Sequence, residues 1–102
     1  MVIDLQAYRC PTAQILANRA LEMFMNSEDK ELVLLSIEPS LQRNLEARLA
    51  HNDIKADIVS VSSNDITDRD LQRWQDKFDD DDYGGVRHIM TIFVQKRQQQ
   101  SA

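Results

Sequence analysis

The chain has a single cysteine, no long hydrophobic run and an excess of acidic over basic residues. Cys10 cannot form an internal disulfide, and a lone thiol is typical of a reducing compartment such as the cytoplasm. The longest apolar run, residues 32–35, is far shorter than the roughly 20 residues that cross a bilayer. Asp4 and Arg9 interrupt the N-terminal residues, so we expect no secretory signal there. These absences predict a soluble, cytoplasmic protein that does not enter a membrane.

The charge balance argues against a nucleic-acid binder. The chain contains 12 Lys and Arg against 17 Asp and Glu residues, for a net charge of −5. Domains that bind nucleic acid usually carry a basic patch that releases counterions from phosphates, whereas the cations here are interleaved with carboxylates. At 102 residues the chain fits one domain, which we place at residues 1–97. We expect residues 98–102 to be a disordered tail.

Apolar periodicity predicts alternating strands and helices. Alternating or continuous apolar residues predict strands at 1–6, 31–37, 56–63 and 86–96. Apolar residues at three- and four-residue spacing predict helices at 11–26 and at 41–51, the second of them with Ser40 as its N-cap. The first of these helices would bury a stripe of apolar side chains: Ile15, Leu16, Ala20, Met23 and Phe24.

A segment of different character, residues 64–85, separates the third and fourth predicted strands. Thr67 or Asp68 would cap a short helix in this insertion. The apolar residues of that helix, Leu71, Trp74 and Phe78, would pack on the sheet or, alternatively, bind a partner. Residues 79–82 are four consecutive aspartates, a pattern typical of a solvated loop, because a calcium loop needs spaced ligands and a distal glutamate.

The predicted fold is an α/β (α+β) two-layer sandwich of order β-α-β-α-β-β. Strands joined by helices of this length run parallel with right-handed crossovers, which places both main helices on one face of the sheet. The sequence leaves the orientation of the last strand open. Ile89 and Phe93 are expected on the uncovered face, which is compatible with a homodimer. His88, in the same strand, is expected in the core or at its boundary.

Cys10 is the residue with the clearest chemical potential. It falls between the first strand and the first helix, and Pro11 follows at the first helical position, where its missing N–H costs nothing. Unpaired N–H groups at the start of a helix stabilise a nearby thiolate, and Arg9 would act in the same direction. The alternative is that Cys10 is a small buried apolar residue, as free cysteines often are.

A lone thiolate limits the chemistry that is possible. His51 and His88 lie on other elements, so nothing in the sequence places a base beside Cys10 for a Cys–His hydrolase. The chain has no second cysteine to resolve an internal disulfide, which argues against a thioredoxin-like cycle. Carrying one sulfur atom as a persulfide between two proteins needs only one cysteine per partner. That chemistry fits the sequence best.

Two segments resemble a known family. Residues 4–13 (DLQAYRCPTA) resemble the opening of the TusA/SirA/YedF sulfur-carrier family, whose members have Asp-Leu-x-Gly-x-x-Cys-Pro-x-Pro at this place. Residues 36–40 (SIEPS) are similar to the segment that opens the family's second helix. Ala7 stands where the family has glycine, and Ala13 stands where it has the second proline. The resemblance implies a mixed four-stranded sheet and a sulfur carrier in which Cys10 holds the persulfide.

The expected partners are proteins: a sulfur donor such as a cysteine desulfurase, and a sulfur acceptor. No cofactor or metal is expected. Pro11 would set the start of the helix, and the N–H groups near Thr12 and Ala13 would stabilise the anionic sulfur. Arg9 would assist or dock partners, and Tyr8 would either line the pocket of the thiol or anchor the loop. The alternative function is a non-catalytic interaction or regulatory module that uses the acidic insertion and the open sheet face.

Overall fold

Strands and helices alternate along the chain in the predicted order. A computed structural model describes residues 1–6, 8–9, 11–74 and 86–97. The elements are β1 (Val2–Leu5), α1 (Thr12–Met25), β2 (Glu31–Ser36), α2 (Leu41–His51), β3 (Ala56–Asp65), α3 (Asp68–Trp74) and β4 (His88–Lys96). The predicted insertion at 64–85 therefore begins inside β3. Residues 75–85, with the acidic run and Phe78, and the predicted tail at 98–102 lie outside the described residues.

The sheet is mixed and its strand order is β1-β2-β4-β3. β1 pairs with β2 in parallel, whereas β4 pairs antiparallel with both β2 and β3. The orientation that the sequence left open is thus antiparallel, and β4 fills the gap between β2 and β3. β1 and β2 run parallel and are joined by α1, while β2 and β3 run in the same direction on either side of β4 and are joined by α2. These two crossover helices form the second layer, so the fold is the predicted two-layer sandwich.

The hydrophobic core lies between the sheet and the two main helices. Alternate residues of the central strands point into it and are almost fully buried: Leu32 and Leu34 of β2, and Ile92 and Val94 of β4. The helices contribute Ala17, Ala20, Leu21, Phe24, Leu41 and Leu45 to the same cluster. Each large side chain buried in this way contributes about 1.5–3 kcal/mol to folding.

The buried face of α1 differs from the predicted stripe. The structure buries Ala13, Ala17, Ala20, Leu21 and Phe24. Ile15 and Met23, which were expected in the stripe, are instead 50% and 61% exposed. Small alanine side chains on the inward face let the helix lie close to the sheet, and the 100° step per residue then carries Ile15 and Met23 to the outside.

A β-bulge corrects the predicted faces of β3. The pairing of β3 with β4 shifts between Ile58 and Ser60, so that Val59 is an extra residue in the strand. Ile58 therefore packs toward the helices, while Ser60 lies opposite Phe93 on the other face. Strict alternation along the predicted strand at 56–63 would place Ile58 and Ser60 on one face, and the bulge moves them to opposite faces.

The face of the sheet opposite the helices carries apolar side chains, as predicted. Val2, Val33 and Phe93 are neighbours in one row across three strands, and Phe93 is 37% exposed. Ile89, on the same side of β4, is half-buried. None of the helices in the described ranges combines the length and the apolar composition that a membrane crossing requires.

A reciprocal pair of hydrogen bonds caps α3. The Asp70 N–H donates to Thr67 Oγ1, and the Thr67 N–H donates to Asp70 Oδ2, at 3.3 and 2.9 Å. This arrangement is a capping box, and it selects Thr67 over Asp68 as the cap. Trp74, at the end of the helix, is buried.

Candidate functional site

The residues that flank Cys10 lie at the edge of the sheet where β1 and β2 end. Because these strands are parallel, their carboxyl ends meet at one edge, and α1 and α2 begin there. Cys10 itself and Ala7 lie outside the described residues. The candidate site is therefore built from the neighbours of Cys10 on α1 and at the start of α2.

Within the described residues, the first turn of α1 has neither a side-chain cap nor an acidic side chain. Pro11 is the N-cap residue, with φ −84° and ψ −11°, and it makes no side-chain capping hydrogen bond. The first turn of the helix contains no acidic residue. The partial positive charge of the first helical N–H groups is thus not compensated by a carboxylate in that turn, which favours an anion nearby. The helix begins at Thr12, one residue after the predicted start.

The backbone N–H groups of Thr12 and Ala13 were both predicted to stabilise the anionic sulfur, but they are not equally available for that role. The Ala13 N–H donates to the Arg9 carbonyl at 2.9 Å, and Ala13 is fully buried. The prediction that the Ala13 amide stabilises a sulfur anion therefore needs correction, because the first turn extends back to Arg9 and takes that donor. Among the described residues, no backbone carbonyl accepts a hydrogen bond from the Thr12 N–H. Thr12 is exposed, and its amide is the better candidate.

Arg9 is held by a carboxylate from the end of β2. Its Nε donates to Glu38 Oε2 at 2.9 Å, and the two side chains are 31% and 11% exposed. The other oxygen of Glu38 accepts a hydrogen bond of 3.1 Å from the Ser40 hydroxyl. The Glu38 N–H donates to Ser36 Oγ at 3.0 Å. Arg9 is thus anchored to the start of α2, which fixes the backbone on one side of Cys10.

The role of Ser40 differs from the prediction. Ser40 does precede the first residue of α2, but its side chain makes no capping hydrogen bond. Its hydroxyl donates to the Glu38 carboxylate instead. The Ser40 backbone, with φ −81° and ψ −10°, lies outside the β region in which an N-cap hydroxyl normally accepts a hydrogen bond from a helical N–H. Glu38 appeared in the sequence only as part of the segment at 36–40. Its pairing with Arg9 joins residues 29 positions apart, and no local pattern indicates it.

An exposed and partly apolar surface surrounds the start of α1. Tyr8 is 37% exposed and Ile15 50%, and Pro11 and Thr12 are also exposed. The Tyr8 N–H donates to the Leu5 carbonyl at 3.1 Å, which forms a turn after β1. The two roles predicted for Tyr8, lining the pocket of the thiol or anchoring the loop, both stay predictions. These four residues form what we call the α1 surface.

The two histidines lie elsewhere. His88 is exposed, and its Nδ1 lies 3.1 Å from Asp65 Oδ1 across the β3–β4 pair. The expectation of a core or boundary position for His88 was wrong, because this end of β3 lies at an exposed edge of the sheet. His51 ends α2, at the opposite end of that helix from Ser40. Within the described residues, no group of three or more potential metal-ligating side chains comes together.

α3 reaches the segment before Cys10, which the sequence did not indicate. Arg73 Nη2 donates to Gln6 Oε1 at 3.4 Å, and the same guanidinium pairs with Asp70. Gln6 is buried, and its N–H donates to Asp4 Oδ1 at 3.0 Å. Since β3 and β1 are at opposite edges of the sheet, the chain after β3 crosses to the far side before it returns as β4.

Comparisons of this chain with protein-family models, with curated proteins and with solved structures found no match.

Proposed function

We propose that the chain is a sulfur carrier of the TusA/SirA/YedF type, in which Cys10 holds the sulfur as a persulfide. The observation that carries the proposal is the start of α1 directly after Cys10 and Pro11, with no acidic residue in its first turn. An anionic sulfur is favoured at such a helix end. The Thr12 amide is the donor that we assign to it. The single cysteine of a chain with a net charge of −5 is consistent with relay in the cytoplasm.

The reaction needs no cofactor. The Cys10 thiolate attacks the outer sulfur of a persulfide on the donor protein, the S–S bond of the donor breaks, and the donor leaves as a thiolate. Cys10 then carries the extra sulfur as its own persulfide. In the second step a nucleophile of the acceptor attacks that outer sulfur, and Cys10 is released as a thiolate. No net oxidant or reductant is consumed in either step.

The α1 surface is the region that we assign to partner docking. Ile15 and Tyr8 offer exposed apolar area around the start of α1, as expected for the centre of a transient protein interface. Arg9 acts as a positioning residue in this proposal, because its guanidinium is engaged by Glu38. The donor would be a cysteine desulfurase, and the acceptor another protein with a reactive thiol or a bound substrate.

The test is transfer of labelled sulfur. The protein is incubated with a cysteine desulfurase and cysteine labelled with a heavy sulfur isotope, and the intact mass is measured. We expect one added sulfur on the wild-type protein and none on Cys10→Ser, whose folding is checked by circular dichroism. Equal labelling of the two proteins would exclude Cys10 as the carrier.

A pair of variants on α1 tests the docking surface. Ile15→Glu is expected to slow labelling about tenfold, because it places a charge in the interface. Met23→Glu is the matched control, since Met23 is exposed on the same helix but lies about 12 Å farther along its axis. Equal labelling rates for the two variants would place docking elsewhere.

A second candidate is the non-catalytic interaction module. It is favoured by the exposed apolar row on the open sheet face, where Val2 is 66% and Phe93 37% exposed. The rate of thiol alkylation against pH separates the two functions. A carrier requires a Cys10 thiol that reacts rapidly in the folded protein, whereas a module with a structural Cys10 predicts reaction only after unfolding.

A further inference from the structure

β3 forms a long and exposed edge of the sheet. Within the described residues it pairs with β4 alone, and its seven residues from Val59 to Asp65 are all exposed. The other edge strand, β1, has only four residues against ten in β3. Natural edge strands are commonly protected by lysine, proline or a bulge. β3 contains neither of those residues, and its bulge lies before Ser60.

The backbone groups that β3 presents at this edge follow from its pairing with β4. The Ile66 N–H donates to the Arg87 carbonyl at 2.9 Å. In an antiparallel pair, hydrogen-bonded and non-hydrogen-bonded positions alternate. Ser62 and Asn64 therefore bond to β4, whereas the N–H and C=O groups of Val61, Ser63 and Asp65 point away from the sheet. On its other side, β4 bonds to the β2 segment, where the Lys96 N–H donates to the Lys30 carbonyl. Even-numbered residues of β4 therefore bond toward β2 and odd-numbered ones toward β3, which agrees with the assignment for Ser62 and Asn64.

A groove runs beside this edge, between β3 and α2. Its volume is about 440 Å³. Leu49 and Ala50 of α2 and Ile58 and Val61 of β3 form its apolar lining, and Glu46 stands on the α2 side. The exposed edge and the groove together have the form of a β-augmentation site, in which main-chain bonds give affinity and pockets receive alternate side chains.

We propose that β3 binds an extended strand of a partner protein, which pairs with the outward backbone groups of Val61, Ser63 and Asp65. Small apolar side chains of that strand enter the groove beside Leu49. On the face of the sheet away from the helices, Ser60 and Ser62 match polar side chains of the incoming strand.

The charges around the edge favour a basic segment. Glu46 is exposed beside the groove, and the Asp65 side chain is 88% exposed, with His88 Nδ1 at 3.1 Å from its Oδ1. Asp57, in contrast, is already offset by two hydrogen bonds from Arg97 at 2.9 and 3.0 Å. A lysine or arginine at either end of the incoming strand would therefore find a carboxylate that no lysine or arginine of the described residues pairs with.

A second copy of this chain fits the edge less well. Two antiparallel β3 strands that use these outward groups would be centred on Ser63. Each copy would then place the Asp65 carboxylate opposite Val61 of the other, at the mouth of the apolar groove, where burial of a charge is unfavourable. This mismatch is why we assign the edge to another protein.

The test uses a blocked synthetic peptide that alternates valine with threonine and carries a lysine at each end. Amide hydrogen exchange of the full chain is followed by NMR with and without this peptide. We expect exchange at Val61 and Ser63 to slow about tenfold or more on binding, whereas Ser62 and Asn64, already bonded to β4, change little. The same peptide methylated at its backbone nitrogens is expected not to bind.

Variants at Ser63 provide the matched control. Ser63→Pro removes an outward N–H without removing a bond to β4, as proline does at edge strands, and we expect at least a tenfold loss of peptide affinity. Ser63→Ala keeps that N–H and is expected to bind like the wild type. Equal binding of the methylated peptide, protection that maps to the face of Phe93, or dimerisation of the chain alone through β3 in sedimentation would each overturn the proposal.

Discussion

At the scale of single residues, the Arg9–Glu38 pair links the candidate site to the core of the protein. The Glu38 side chain is only 11% exposed and is held by Arg9 and by the Ser40 hydroxyl. A carboxylate at this depth is costly to leave without its cation, because burial removes most of its hydration. The pair therefore matters for stability even though Arg9 itself is partly exposed.

We predict that Arg9→Met lowers the free energy of unfolding by about 1–3 kcal/mol, since it leaves the Glu38 carboxylate without its charged partner. Urea denaturation followed by circular dichroism measures the change. Arg19→Met is the control, because Arg19 is an exposed arginine on α1, and a change below about 0.5 kcal/mol is expected for it. A similar loss in both variants would mean that the Glu38 pairing contributes nothing specific.

The residue scale is also where sequence reasoning about the site was least complete. Pro11 was placed near the start of a helix because its geometry suits that position. The partner of Arg9 was not predictable, because it comes from the end of another strand and depends on how β1 and β2 pair. The Ala13 amide was misassigned because its N–H donates to the Arg9 carbonyl in a turn that begins before α1, and helical periodicity does not predict such a turn.

At the scale of elements, the capping box of α3 determines where this short helix begins. The Thr67 N–H bond to Asp70, and then the Arg73 guanidinium, lower the pKa of the Asp70 carboxyl below its usual value of 3.8. A group with a lowered pKa favours the folded state when it is ionised. Its stabilising effect is therefore present above the unfolded value and is lost as the pH falls through the folded one.

Asp70→Asn should accordingly cost about 1 kcal/mol of unfolding free energy near neutral pH, as loss of a helix cap usually does. The difference from wild type should shrink as the pH is lowered below the usual Asp value, where the wild-type carboxyl also becomes neutral. Urea titrations at neutral and acidic pH measure it. Asp68→Asn is the control, because Asp68 is in the same turn without a capping bond. A difference that does not change with pH would contradict this assignment.

The elements themselves were largely predictable, and the exceptions have local causes. The bulge in β3 arises where Val59 is accommodated against β4, and a strand's own alternation carries no sign of an extra residue. Ile15 and Met23 are exposed because alanines form much of the face by which α1 contacts the sheet. A search for periodic large apolar residues gives little weight to alanine. Both errors come from packing against a neighbour that the local sequence does not specify.

At the scale of the whole molecule, the core is one-sided. Both main helices cover the same face of the sheet, so neighbouring residues of β4 experience opposite environments. Ile92 is fully buried, whereas Phe93 is 37% exposed. The alternation of β4 predicted these two faces correctly. It could not predict the order of strands in the sheet, because pairing between distant segments depends on tertiary packing.

Ile92→Ala is predicted to lower the free energy of unfolding by about 2–5 kcal/mol, through lost burial and the cavity that remains. Phe93→Ala, one position along, should cost less than about 1.5 kcal/mol, because its ring is partly in solvent already. Chemical denaturation of both variants gives the comparison. Equal losses would mean that the face opposite the helices is covered in solution, and that the sandwich has a further layer.

The central place of β4 has a consequence for biosynthesis. While the ribosome is still translating the segment before His88, β2 and β3 each lack a neighbour, and the sheet cannot close. The nascent chain therefore exposes one free edge of β2, which already has β1 as a neighbour, and both edges of β3 until β4 emerges from the exit tunnel.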